Sequence, residues 1–369
     1  MKKISLVATK HISLKSFFLP LIKTYLNNNF KLTIICNDCT ELKNLLDPVY
    51  KNNINYIDLN FPTKLYRIIN PFIFINTILK INYFLKKNKH EIIHLNTPIA
   101  SHFFRIANIF NNNYLIYHVH GFRFHNKGNL VKNLFNFLIE YFLSFFTNKY
   151  IAINSYDQKI ISKYFKKENI LISGMGLDLS LLNKFYIKKK RLSQNIRIGI
   201  IASYKKEKGY NDIIEIAKLF KINNRINFYC YGYGDFIKYK KYIKKFNLNN
   251  LKMYPQIDNI YSEISNFDLL IHPSRREGLS VCIIESMALG IPVITTTIRG
   301  CEDLIKDKYN GRLYNPGDIK KLYNLVNDFM NNWEIYNKYS IISYQIIQKN
   351  YNSIHLSERI KNYVNEINI

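Results

Sequence analysis

Two glutamates, Glu277 and Glu285, stand in the segment of the chain richest in residues able to do chemistry, the run from His272 to Pro292. Its order predicts a strand ending at His272, a polar turn, and a helix beginning near Ser280 and stopped by Gly290 and Pro292. Gly278 in that turn lets backbone approach a ligand closely, and the amides of Gly278, Leu279 and Ser280 meet the positive end of the helix dipole. Such a helix start is a ready place for a phosphate. Glu285 lies five residues beyond Ser280, roughly 7.5 Å along a helix axis. One carboxylate can therefore reach a group on one side of the phosphate while the other reaches a group behind it. An elongated ligand with hydroxyls at both ends, such as a nucleotide-sugar, suits that spacing. A helix cap plus a surface glutamate is the ordinary alternative. A carboxylate on a flank shared with Val281, Ile284 and Ala288 favours a ligand.

Three further segments carry polar groups at strand ends. Ile201 to Gly209 reads as strand, loop and helix start, with Ser203, Lys205, Lys206 and Lys208 in the loop; alone it would be a solvated basic loop. Tyr231-Gly232-Tyr233-Gly234-Asp235 follows the next strand and by itself means only a tight turn. In the N-terminal half, His120 in His118-Val119-His120-Gly121-Phe122 closes a strand and is followed by glycine, with Phe124-His125-Asn126-Lys127-Gly128 continuing the loop. Other constellations fail. Cys36-Asn37-Asp38-Cys39 is one CxxC without a second pair, so zinc is not expected. There is no Asp-x-Asp clamp, no Gly-x4-Gly-Lys-Ser/Thr loop and no Gly-x-Ser-x-Gly elbow.

The elements that must position these residues alternate, twice over. In the first half, strands are expected at 4–8, 32–36, 91–95, 114–119 and 150–153, with helices at 14–27 and 72–87. A basic, aperiodic stretch at 187–195 reads as a linker. Strands then follow at 196–201, 226–231, 251–254, 269–272 and 293–296, with a helix from about Gly209 to Lys221. Continuous apolar strands separated by helices predict parallel sheets covered on both faces, so the chain is α/β, built of two Rossmann-like doubly wound domains. Ligands of such sheets sit at the carboxyl ends of strands, and two halves facing across a cleft would place a site between them. The expected division is 1–186 as the first domain, 187–195 as linker, 196–345 as the second domain, and 346–369 as a helix returning to the first.

Glu277-Gly278-Leu279 and Glu285-Ser286-Met287-Ala288-Leu289-Gly290-Ile291-Pro292, with seven residues between the glutamates, resemble the signature of retaining family 4 glycosyltransferases of the GT-B fold. The resemblance implies that Glu277 contacts the transferred sugar, Glu285 holds the ribose, and the amides of Gly278, Leu279 and Ser280 grip the diphosphate. Lys208 resembles the family's diphosphate lysine. Ser203 stands where the family usually has arginine, a cation that Lys205 or Lys206 could replace. Gly232 and Gly234 match the family's Gly-x-Gly turn. In the N-terminal half, segments at His94–Ala100 with Arg105, His120–Gly128, Ile151–Asp157 and Ser173–Asp178 resemble a polysaccharide-assembly branch. The implied acceptor-side residues are Lys10, His11, Asn96 and Asn154, and His120 joins Glu277 and Lys208 as a catalytic residue. The loop Thr9-Lys10-His11-Ile12-Ser13 lacks the glycines often seen there.

The implied activity is retaining transfer of a hexose or N-acetylhexosamine from a nucleotide-sugar, expected to be a UDP-sugar, to a lipid-linked or saccharide acceptor in surface polysaccharide synthesis. The nucleotide-sugar is a substrate; no cofactor and no metal are expected. An epimerase of the same fold is the alternative. The net charge of +27, from 53 Lys+Arg against 26 Asp+Glu, raises a nucleic-acid binder as a remoter one. Abundant Lys, Asn, Ile, Tyr and Phe with only 13 Gly and 9 Pro is also what an A+T-rich coding sequence produces, so the charge alone decides nothing, and nucleic acid is not an expected partner. The five scattered cysteines fit a reducing compartment. No leader or membrane span is expected, since 4–8 is too short and 71–85 and 130–146 are interrupted by polar residues. Apolar bulk at 130–146 and charge at Lys86-Lys87-Asn88-Lys89 would let a cytoplasmic protein dock on an anionic membrane, although a buried domain helix explains 130–146 equally well.

Overall fold

Thirteen strands form two parallel sheets in the computed structural model, which describes residues 1–89, 91–125, 129–187 and 191–367. Lys188 to Lys190 of the expected linker, and Asn126, Lys127 and Gly128 of the loop after His120, lie outside the described residues. By contacts the chain divides into one unit of 1–176 with 353–369 and a second of 177–352.

The first unit contains β1 (Lys3–Lys10), β2 (Lys31–Asn37), β3 (Ile54–Asp58), β4 (Glu91–Leu95), β5 (Leu115–Val119), β6 (Lys149–Ala152) and β7 (Glu168–Leu171). Their order across the sheet is β3-β2-β1-β4-β5-β6-β7, all parallel, with Val7 paired to Ile35 on one side and Leu95 on the other. Buried Ile, Leu and Val on both faces of the central strands give the continuous apolar runs seen in the sequence. One face carries the C-terminal helix Ser353–Asn365, whose Leu356, Ile360 and Val364 share a core with Leu21, Ile22 and Tyr25. The other face carries the helices Pro71–Lys87 and Pro98–Ala107.

The single helix expected over 14–27 is two, His11–Phe17 and Leu19–Asn27. Pro20 has no N–H to give the carbonyl of the preceding turn, so the helix breaks and restarts. Helix formation also begins directly after β1, so His11 is the first residue of a helix rather than part of a loop.

The second unit contains β8 (Ile196–Ile201), β9 (Ile226–Gly232), β10 (Leu251–Pro255), β11 (Leu269–His272), β12 (Val293–Thr296) and β13 (Arg312–Tyr314), in the order β10-β9-β8-β11-β12-β13. In each sheet the winding reverses at its centre, between β1 and β4 and between β8 and β11. Doubly wound sheets bind ligands outside the carboxyl ends of strands at such a reversal. The residues singled out above end or follow those strands: Lys10 ends β1 and His11 follows it, Asn96 follows β4, Ser203 to Lys208 follow β8, and Glu277 follows β11.

Candidate active site

In the second unit the loops after β8 and β11 meet over the sheet reversal. Gly209, at φ +76°, packs so closely that a Cβ there would lie 2.0 Å from the Pro273 carbonyl oxygen. The Arg275 amide donates to the Glu207 carbonyl at 2.8 Å, and Arg275 pairs with Asp212 at 2.7 Å. This stitching brings Lys208 to Glu277: the ammonium donates to Oε1 at 2.6 Å. The same oxygen lies 2.9 Å from Nε2 of His272, the buried last residue of β11.

Burial opposes ionisation of Glu277, but His272 and then Lys208 outweigh it and hold the carboxyl down to about 2. Burial likewise pushes the His272 ring down, while Cys282 and then Glu277 raise it to about 10. Glu277 is thus a fixed anion across the working pH range. It can orient hydroxyls and face developing positive charge, but it has no proton to give.

The helix Val281–Ala288 starts where expected, with Ser280 at its N-cap. Ser280 makes no cap: its hydroxyl lies 3.3 Å from His272 Nε2 and 3.2 Å from Cys282 Sγ. The amides of the first turn therefore have no side-chain cap and retain the electropositive character that suits a phosphate. Gly278 and Leu279 form the half-buried turn leading into them. Lys205 is exposed and Ser203 half-buried, its carbonyl accepting from the Lys205 amide at 2.7 Å. Gly232, ending β9, is pressed on Ala202, whose carbonyl oxygen would be 1.8 Å from a Cβ. Among the described residues, no group of three His, Cys, Asp or Glu is placed to hold a metal ion.

Glu285 points into a half-buried setting, where burial pushes its carboxyl up to about 7 against the Tyr261 hydroxyl, which lowers it. Under the donor-binding role proposed below, Glu285 must be ionised to accept from ligand hydroxyls, so donor affinity would be present above pH 7 and weaken as the pH falls below it. The donor KM at pH 6 is expected to be up to about tenfold that at pH 8. Glu285→Gln should give a weak, pH-independent KM; an unaltered acid limb in that variant would reassign the titration.

In the first unit, His120 follows β5 and stacks on His118, with ring centroids 4.5 Å apart, and His118 stacks on His94 at 5.6 Å. Phe18 meets both His118 and His120 edge-on. His120 is marked in the sequence by its place at a strand end before glycine, whereas the stack beneath it leaves no such mark. Lys10 is exposed at the end of β1, and His11 Nδ1 lies 3.9 Å from the Asp38 carboxylate. The Asn96 side chain donates to the carbonyls of Val7 and His94, at 3.1 and 3.0 Å, tying β1 to β4. Asn154 caps the helix Ser155–Ile160, accepting from the Asp157 amide at 2.8 Å, and Asp157 accepts from the Phe122 amide at 3.3 Å. These two asparagines shape the strand ends around His120.

Burial, with His120 nearby, pushes His94 down to about 3, and burial takes His120 to about 4; His118 is also lowered, by burial and both neighbours. Unfolded histidine takes a proton near 6.5, so this stability is present above that pH and is lost as pH falls toward the folded values. At pH 5 His94 alone withdraws about 2 kcal/mol, roughly 4–8 °C in the midpoint of a unit this size. Calorimetry should show that loss between pH 7.5 and 5, reduced in His94→Gln; equal midpoints at both pH values would contradict it.

His272, Cys282 and Tyr261 were not among the expected site residues. His272 could have been found as a polar end to a buried strand five residues before Glu277. Tyr261, on the helix Ile260–Ser265, carries no local signal linking it to Glu285.

Residues 183–346 match the family described as glycosyl transferases group 1. The capsular polysaccharide biosynthesis glycosyltransferase CapM of Staphylococcus aureus is 28% identical over 346 residues, 86% of this chain and 87% of that protein. The UDP-Gal:alpha-D-GlcNAc-diphosphoundecaprenol alpha-1,3-galactosyltransferase of Escherichia coli is 26% identical over 337 residues, 86% of this chain and 84% of that one. Among solved structures, Anabaena Alr3699/HepE in complex with UDP and glucose superposes with a TM-score of 0.77 at 17% identity, over 100% of both chains. The chain is a glycosyltransferase of the GT-B fold, related to the family 4, or group 1, enzymes.

Proposed function

We propose that this enzyme moves a hexose or N-acetylhexosamine, with retention, from a UDP-sugar to a lipid-linked or saccharide acceptor in surface polysaccharide assembly. The observation that carries the reading is the joining of Lys208, His272 and Glu277 at the sheet reversal, next to uncapped helix amides and Glu285. The bond to be broken joins a sugar carbon to a diphosphate. As it breaks, the sugar gains positive charge and the departing phosphate negative charge. Lys208, with Lys205 or Lys206 beside it, and the amides of Gly278, Leu279 and Ser280 meet the phosphate. Glu277, already ionised, faces the sugar, and Glu285 accepts from the ribose. Preorganised groups of this kind contribute about 3–4 kcal/mol each when removed singly. His120, backed by its stack, serves the sugar or acceptor.

The relatives named above, a capsular polysaccharide enzyme and a galactosyltransferase for a diphosphoundecaprenol acceptor, support this acceptor class. Among the described residues no helix is long and apolar enough to cross a membrane. Contact with an anionic membrane through 130–146 and Lys86 to Lys89 completes the reading; sedimentation with anionic vesicles at physiological salt should carry the protein down, and its absence would remove this part. For the activity, a thermal-shift screen should show stabilisation by a UDP-sugar above GDP- and ADP-sugars. Labelled sugar should then pass to an added acceptor with retained configuration. Interconversion of free nucleotide-sugars without acceptor would instead mark an epimerase.

A further inference from the structure

The helix Pro98–Ala107 lies between Pro71–Lys87 and the helix Leu130–Ser144, and its outer face is a trough floor. Ile99, His102, Phe103 and Ile106, at helical i, i+3, i+4, i+7 spacing, line a cavity of about 630 Å³. Phe74 closes one side, and Phe135, Leu138 and Phe142 the other. That volume lies within the range of ligand pockets. The polar members of the lining are His102 and Arg123. His102 is spoken for, with Nε2 2.9 Å from Glu140, whose other oxygen pairs with the fully buried Arg105 at 2.9 Å. This buried pair pins the helix Leu130–Ser144 with its charge inward, leaving Phe135 65%, Leu138 53% and Phe142 55% exposed at the trough rim. Arg123 is exposed and, among the described residues, makes no salt bridge.

Charge says what covers this face. Between Leu59 and Ile139 the chain has ten Lys or Arg and one acidic residue, Glu91, which is buried. A second copy of the chain would bring the same positive field against itself. A phosphate-headed lipid brings opposite charge for the basic segment and an apolar chain for the apolar lining.

We infer that this trough holds the hydrocarbon chain of a phosphate-headed lipid, its phosphate at Arg123, and that this lipid is the anchor of the acceptor. The inference rests on the transferase reading for the word acceptor; the binding site stands on the trough alone. It makes the acceptor lipid-linked rather than a free saccharide.

The test is calorimetric titration of the full chain with farnesyl phosphate below its aggregation concentration, with inorganic phosphate and farnesol as controls. Wild type should bind farnesyl phosphate at least about tenfold more tightly than either control. Leu138→Trp, which plugs the trough from an exposed position, and Arg123→Glu should each weaken that binding about tenfold or more while UDP affinity stays unchanged. In turnover, KM for a long-chain acceptor should rise in Leu138→Trp while KM for a chainless analogue does not. Equal binding of farnesyl phosphate by wild type and Leu138→Trp, binding of inorganic phosphate as tight as that of farnesyl phosphate, or equal wild-type KM for long-chain and chainless acceptors would overturn the inference. Failure of the transferase reading shows separately, as no sugar leaving the nucleotide for any acceptor whatever the trough binds.

Discussion

Glu277→Gln is expected to lower turnover by roughly 10²–10³-fold while UDP affinity stays within about threefold. The reason lies in what the carboxylate touches. In the free enzyme its Oε1 is shared by Lys208 and His272, at 2.6 and 2.9 Å, so the charge is fixed before substrate arrives. Gln keeps the shape but removes the charge that would face the sugar as it turns positive. Lys208 is left free to meet the diphosphate, so ground-state binding survives and the transition state suffers. The unit should remain folded, because His272 can shed its proton once one of the groups that raise it is gone. A fall of the His272 titration by nuclear magnetic resonance, alongside the lost turnover, would tie both effects to this contact. Wild-type turnover in the variant would remove Glu277 from the chemistry.

The second large effect is expected at Gly209. Alanine there meets two obstacles at once: a left-handed backbone at φ +76°, and the Pro273 carbonyl oxygen 2.0 Å from the new Cβ. Strain alone costs about 1–3 kcal/mol, and the clash must be relieved by parting the loops after β8 and β11. Parting them takes Lys208 away from Glu277 and the uncapped helix start. Gly209→Ala should therefore lose about 3 kcal/mol or more in stability and most of its UDP affinity. Gly234→Ala is the control: φ is +110°, but the nearest atom to its Cβ is 3.7 Å away, so strain acts without a clash. Denaturant unfolding should rank Gly209→Ala well below Gly234→Ala; equal losses would show that the close approach to Pro273 does no work.

Much of this was legible in the chain because the central strands are buried on both faces. The runs at 196–201, 269–272 and 293–296 match β8, β11 and β12 end for end. The strands that escaped notice, β3, β7 and β13, are all at sheet edges. There the pattern thins: β7 is Glu-Asn-Ile-Leu with no fully buried residue, and β13 spans only Arg312–Tyr314. The turn and helix from Glu277 to Glu285 could be read because its glycine, glutamates and helix stop are local. The partners that set its electrostatics, Lys208 across the sheet reversal and Tyr261 beside Glu285, are brought in by packing and leave no mark on spacing. The histidine stack escaped for the same reason. His118 lies on β5 and His120 just past its end, but His94 joins them only because β4 and β5 are neighbours.

In the proposed function the second unit clasps a pyrophosphate with Lys208 and the start of the helix Val281–Ala288. Isothermal titration of UDP into wild type and Lys208→Ala, both in excess chelator, tests it most directly. Wild type should bind UDP in chelator, and Lys208→Ala should bind it at least about tenfold more weakly. UDP binding that vanishes with chelator, or that is the same in both proteins, would contradict it.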